Sequence, residues 1–171
     1  FWDLIRLALL TGARADELLA LRVCDVLEDG TAVAVAAAPK GSSGPADGQR
    51  ARIIPLHAFA RRVIRDQVGV TAKGDRDTPL WPEVPAHGTD GRRSKTVATR
   101  FPPIRRRILG HSDEVDFHSF RRTFLTAAET AMHHGGRLSA ELIGLLAGHK
   151  RGTLALQAVE EVFHGRAVKS A

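Results

Sequence analysis

Apolar side chains recur at helical spacing through FWDLIRLALL, and Thr11-Gly12 breaks the run. A short second helix is predicted from Ala13 to about Leu21. The period then changes: TAVAVAAA at 31–38 is compatible with a strand, and RIIPL at 52–56 reads as a second β segment. PKGSSGPADGQR between them reads as a long hairpin loop. Helical period returns at 57–68, and turn formers then crowd residues 70–96, which read as a mobile excursion over the surface. Further helical patterns occupy roughly 103–109, 117–132, 138–147 and 153–163. The pattern predicts a mainly helical α+β domain with one small antiparallel sheet, and no internal repeat interrupts it.

Composition adds a sign and a compartment. The 171 residues suit one domain, 1–171, and 43% apolar content allows a sizeable core. Lys and Arg exceed Asp and Glu by 25 to 19, giving +6, which points to a polyanion such as nucleic acid rather than an acidic small substrate. The lone Cys24 excludes an internal disulfide framework and fits a reducing compartment. No apolar run approaches the roughly 18 residues of a membrane span, so a cytoplasmic protein without a membrane partner is expected. The chain opens inside a helical pattern without an initiator Met and reads as a fragment whose upstream portion is missing. It contains no tyrosine at all.

Four places carry candidate chemistry. In DFHSFRRTFLTAAETA, residues 116–131, His118 and Arg121 project from one helical face while Phe117, Phe120, Phe124 and Leu125 anchor the helix. A guanidinium that forks onto non-bridging oxygens, with an imidazole beside it for proton transfer, is what a phosphodiester site requires. A basic surface helix with an incidental histidine gives the same pattern. In LLTGARADELLALRVCDV, residues 9–26, Arg14 opens a helix where backbone N–H groups and the dipole favour an anion. Glu17, like Asp16, either orients Arg14 or simply caps the first turn. Lys40 ends the first strand, and His149 in LLAGHK stands at a helix terminus; a solvated loop lysine and a polar cap are their plain alternatives. A metal site from His133, His134 and His149 is disfavoured, because adjacent histidines on a helix point apart and no carboxylate or thiolate completes the set.

The order of these boxes is more specific than any one of them. TGxR with its downstream glutamate, a strand, Lys40 and RxIPL, then HxxR, then LLxGH resembles the catalytic domain of the tyrosine recombinases, the phage-integrase family. The resemblance runs from about residue 5 to residue 158. It implies a helical catalytic domain with a small three-stranded antiparallel sheet, acting in DNA integration and site-specific recombination of mobile elements through a 3′-phosphotyrosyl intermediate. No metal or high-energy cofactor is implied. By resemblance Arg14 and Arg121 clamp the phosphate, Lys40 is the general acid for the leaving 5′-oxygen, His118 accepts the nucleophile's proton, His149 hydrogen-bonds the phosphate, and Glu17 supports the arginines. Arg105, Arg106, Arg107, Arg122 and Lys150 are expected to contact the DNA backbone. The implied partners are double-stranded DNA and further copies of the chain, in a tetrameric synapse, with a nucleoid-associated location.

One departure is serious. The family's nucleophilic tyrosine lies nine or ten residues after the position of His149, where this chain has Ala158 and Val159. The nearest aromatic is Phe163, further along. None of these side chains can attack phosphorus. The sequence therefore implies a strand-exchange catalytic domain inactive as written, or a non-catalytic DNA-binding remnant of an integrase.

Overall fold

A computed structural model describes residues 1–27, 30–35, 52–71, 75–85, 93–110 and 114–148. Helix α1 spans Trp2–Thr11 and α2 Ala15–Ala20. A 3-10 turn, Val23–Asp25, leads into strand β1 (Val26–Leu27), followed by β2 (Ala32–Val35) and β3 (Arg52–Pro55). Helices α3 (Ala58–Thr71), α4 (Ser94–Leu109), α5 (Ser119–His133) and α6 (Ala140–Ala147) complete the described residues. The three strands pair antiparallel in the order β1-β2-β3, with Val26 opposite Val33, Val33 opposite Ile54 and Val35 opposite Arg52. The mainly helical fold with a small three-stranded sheet is therefore observed.

The core follows from the patterning. Leu4, Leu7, Ala8 and Thr11 recur at spacings of three and four and form the buried stripe of α1. That stripe packs against α2, α3 and α5. Leu18 and Leu19 of α2, Ala60 and Ile64 of α3, and Val33 and Ile54 of the sheet close the same cluster. Gly12 ends α1 in the left-handed region, with φ at 64°, and a Cβ there would run into the ring of Phe124. Glycine is thus required twice over, by the turn and by the close approach of α5. The approach matters because it brings the start of α2 beside the start of α5.

The expected surface excursion over 70–96 is corrected by its described parts. Leu80, Trp81 and Val84 are buried in the main core. Trp81 donates from Nε1 to the Leu18 carbonyl at 2.8 Å, and the Leu80 amide donates to the Leu21 carbonyl at 2.8 Å. The amides of Val23 and Cys24 donate to the Thr78 and Arg76 carbonyls, so 75–85 is strapped along the end of α2. Turn formers dominate the composition here, but one indole buries enough apolar area to fix the path.

Helix α4 also departs from expectation, starting at Ser94 and running through Pro102 and Pro103 rather than beginning at about 103. The two prolines forgo the bonds their amides would have made to the Ala98 and Thr99 carbonyls. Phe101 compensates by packing edge-on against Phe117 and Phe120, with ring centroids 5.7 Å away in each case. The other helices fall close to the predicted spans, while β2 is described only to Val35 and the pattern at 153–163 lies outside the described residues.

Candidate functional site

Arg121 sits on the inner face of α5 and is only 3% exposed. It donates from Nη1 to the Gly12 carbonyl at 2.7 Å and from Nη2 to the Ala147 carbonyl, joining the end of α1 to the end of α6. Those two bonds engage two of its five N–H donors. Burial lowers its pKa from the ordinary guanidinium value, and the charges of Arg14 and Arg52 lower it further against the opposing pull of Glu17.

Arg14 is the residue before α2 and is half-buried. Its extended backbone turns its amide onto Glu17 Oε2 at 2.7 Å, so the carboxylate caps the first turn of α2. The same carboxylate takes a forked pair from Arg52: Nη1 to Oε1 at 2.7 Å and Nη2 to Oε2 at 2.8 Å. Arg52 Nε then donates to the Leu146 carbonyl at 3.1 Å. Burial, the largest influence on Glu17, pushes its pKa up; the bonds and charge of Arg52, the Arg14 amide and the charge of Arg121 together outweigh it and hold the carboxyl below its ordinary value. Arg121 thus feels the charges of Arg14, Arg52 and Glu17, so that three guanidiniums meet one carboxylate at the site, a formal excess of +2. Such an excess suits an anion with several oxygens.

His118 directly precedes α5, with φ at −69° and ψ at −16°, and its carbonyl accepts from the Arg122 amide. It is exposed where Arg121 is buried, so the two do not share an environment as their spacing alone suggested. Partial desolvation of the ring lowers its pKa first, and Arg121, Arg14 and Arg122 lower it further, while Asp116 pulls the other way. The imidazole is therefore biased toward its neutral, proton-accepting form beside three arginines. Asp116 itself accepts from the Ser119 amide at 2.9 Å and from Arg122 Nη2 at 3.0 Å, pinning the turn that carries His118.

The structure brings Arg14, Glu17, His118 and Arg121 together. Lys40, His149, Lys150, Ala158, Val159 and Phe163 lie outside the described residues. Of the arginines expected on DNA, Arg106 and Arg107 are exposed, whereas Arg105 is half-buried and donates to the Val115 carbonyl at 3.1 Å. Arg122 is exposed and paired with Asp116. Sequence reasoning missed Arg52, treated only as the first letter of RIIPL. Strand alternation was the available signal: Arg52, Ile54 and Leu56 share one face, all three are buried, and a cation on a core face requires a partner.

The profile of the Phage integrase family matches residues 3–150, most of the chain. The chain belongs to the phage integrase family. Solved integrases and recombinases share its fold. A Tn1549 transposon integrase in complex with a circular intermediate DNA superposes with a TM-score of 0.63 at 15% identity, over 97% of this chain and 58% of that one. A second Tn1549 integrase complex gives 0.60 at 16% identity, over 91% and 52% of the two chains. The XerA recombinase gives 0.56 at 18% identity, over 95% and 56%. The phage integrase chain described here thus spans little more than half the length of those solved chains. No curated protein matches it. No described helix is long and apolar enough to cross a membrane.

Proposed function

We propose that this chain is a catalytic domain for DNA integration and site-specific recombination, that it grips a DNA phosphodiester between Arg14 and Arg121, and that as written it binds without cleaving. The observation that carries the reading is the cluster of buried Arg52 and Arg121, half-buried Arg14 and Glu17, with a proton-accepting His118 at its edge. Support also comes from the Tn1549 integrases, whose structures are complexes with DNA.

In this reading the two guanidiniums hold the non-bridging oxygens and stabilise the charge that builds on them as phosphorus becomes pentacoordinate. His118 accepts the proton of an attacking hydroxyl. Lys40 donates a proton to the leaving 5′-oxygen, and His149 hydrogen-bonds the phosphate. The attacking hydroxyl is what the chain lacks, since it contains no tyrosine. Duplex DNA is the partner, with further copies of the chain assembled on it. The second reading, a DNA-binding remnant that occupies sites without catalysis, rests on the same missing residue.

A duplex nicked beside the cleavage position traps any covalent intermediate, because the short fragment diffuses away before religation. The unaltered chain is expected to bind this DNA and yield no covalent adduct. Ala158→Tyr or Val159→Tyr is expected to yield one. An adduct from the unaltered chain would overturn the reading of an absent nucleophile. Binding with no adduct from either variant, nor from Phe163→Tyr, would favour the remnant.

A further inference from the structure

Arg52 opens the RxIPL box but has no assigned role in the phosphate chemistry, yet its side chain makes three hydrogen bonds in the described site. Its fork on Glu17 is 4% exposed on the arginine side and 8% on the carboxylate side, and its Nε reaches the last turn of α6. Each end of this strut touches something that holds a clamp arginine. Glu17 Oε2 accepts from the Arg14 amide as well as from Arg52, so the carboxylate that fixes Arg52 also fixes the backbone from which Arg14 projects. Leu146 is the neighbour of Ala147, whose carbonyl accepts from Arg121. Gly148 closes the arrangement: with φ at 69° it ends α6, and a Cβ there would lie 2.7 Å from Arg52 Nη1. Helix end and guanidinium are in contact with no room for a methyl group.

We propose that Arg52 is a positioning residue for the phosphate clamp, fixing Arg14 through Glu17 and Arg121 through the C-terminal carbonyls of α6. The proposal rests on the reading that Arg14 and Arg121 engage DNA phosphate. Its physical content is that one planar fork satisfies three acceptors in fixed directions, whereas a lysine ammonium can keep the charge but not the geometry. Arg52→Lys retains the ion pair with Glu17 and gives up the link to Leu146, so the fold persists while the spacing of the two clamp arginines relaxes.

The test follows the arginine side-chain Nε–H signals of the full chain by NMR during titration with a short DNA duplex, with a thermal melt run alongside. In the unaltered chain the signals of Arg14 and Arg121 are expected to shift with DNA, as are those of the exposed Arg106 and Arg107. In Arg52→Lys the responses of Arg14 and Arg121 should fall at least about threefold while Arg106 and Arg107 respond as before, the pattern of a clamp misplaced by less than a bond length. A purely structural ion pair would lower the melting temperature and leave all four responses intact, and that result would overturn the proposal. Gly148→Ala, which crowds Arg52 without removing its charge, should reproduce the Arg52→Lys pattern. Unfolding of both variants would make Arg52 a folding residue and likewise overturn it. Silence of Arg14 and Arg121 in the unaltered chain, with Arg106 and Arg107 responding, would instead remove the functional reading on which the proposal stands.

Discussion

His118 and Arg121 lie three positions apart, one facing solvent and the other locked between two backbone carbonyls. The difference assigns them different physics. Arg121 is an immobile charge, while His118 can change its protonation. In the free protein the His118 pKa lies below its ordinary value near 6.5, so the unfolded chain binds more protons than the folded one as pH falls through that value. Its contribution to stability is accordingly full above that pH and lost below it. DNA reverses the sign: a phosphate beside the ring stabilises the imidazolium, the complex binds more protons than the free protein, and affinity should rise as pH falls. Binding measured across the histidine range at constant salt should show this rise in the unaltered chain and a flatter profile in His118→Ala. Identical profiles would mean that His118 stands away from the phosphate. The HxxR spacing made these two residues legible as a pair, but their opposite burial was not, because burial is decided by α1 and α6, far away in sequence.

At the scale of elements, what the sequence hid was tertiary. Residues 75–85 look like loop by composition, yet Trp81 fills the space beneath α2 and donates to the Leu18 carbonyl. Trp81→Ala removes a buried indole and the shorter of the two bonds to that carbonyl, which keeps only the Leu21 amide, and should lower stability by about 3–5 kcal/mol. Chemical denaturation would measure it; a loss below about 1 kcal/mol, the level of an ordinary surface substitution, would contradict this packing. Helix α4 hid for a different reason, since Pro102 and Pro103 obey a local rule against helix interiors that Phe101 overrides by packing on α5. The periodic elements, α1, α3 and α5, were readable because one apolar stripe specifies both helix and buried face. Arg52 was readable in principle from strand alternation, although its partner Glu17 lies 35 positions away and no short-range pattern joins them.

For the whole molecule, the formal charge of +6 and the arginine cluster of the site act over different ranges. Under the proposed function, exposed cations such as Arg106 and Arg107 would attract any duplex and release counterions, whereas Arg14 and Arg121 would donate to one phosphate. The two contributions separate experimentally, because each phosphate contact changes the salt slope by about one while a lost charge-assisted bond also weakens binding at every salt concentration. The most direct measurement is therefore the dissociation constant for duplex DNA, taken across a salt series, for the unaltered chain, Arg121→Ala and Arg106→Ala, each checked for fold by circular dichroism. A buried clamp predicts that Arg106→Ala reduces the salt slope by about one with little further loss, and that folded Arg121→Ala loses roughly 10–100-fold in affinity throughout the series. Equal effects from the two substitutions would contradict a phosphate clamp centred on Arg121.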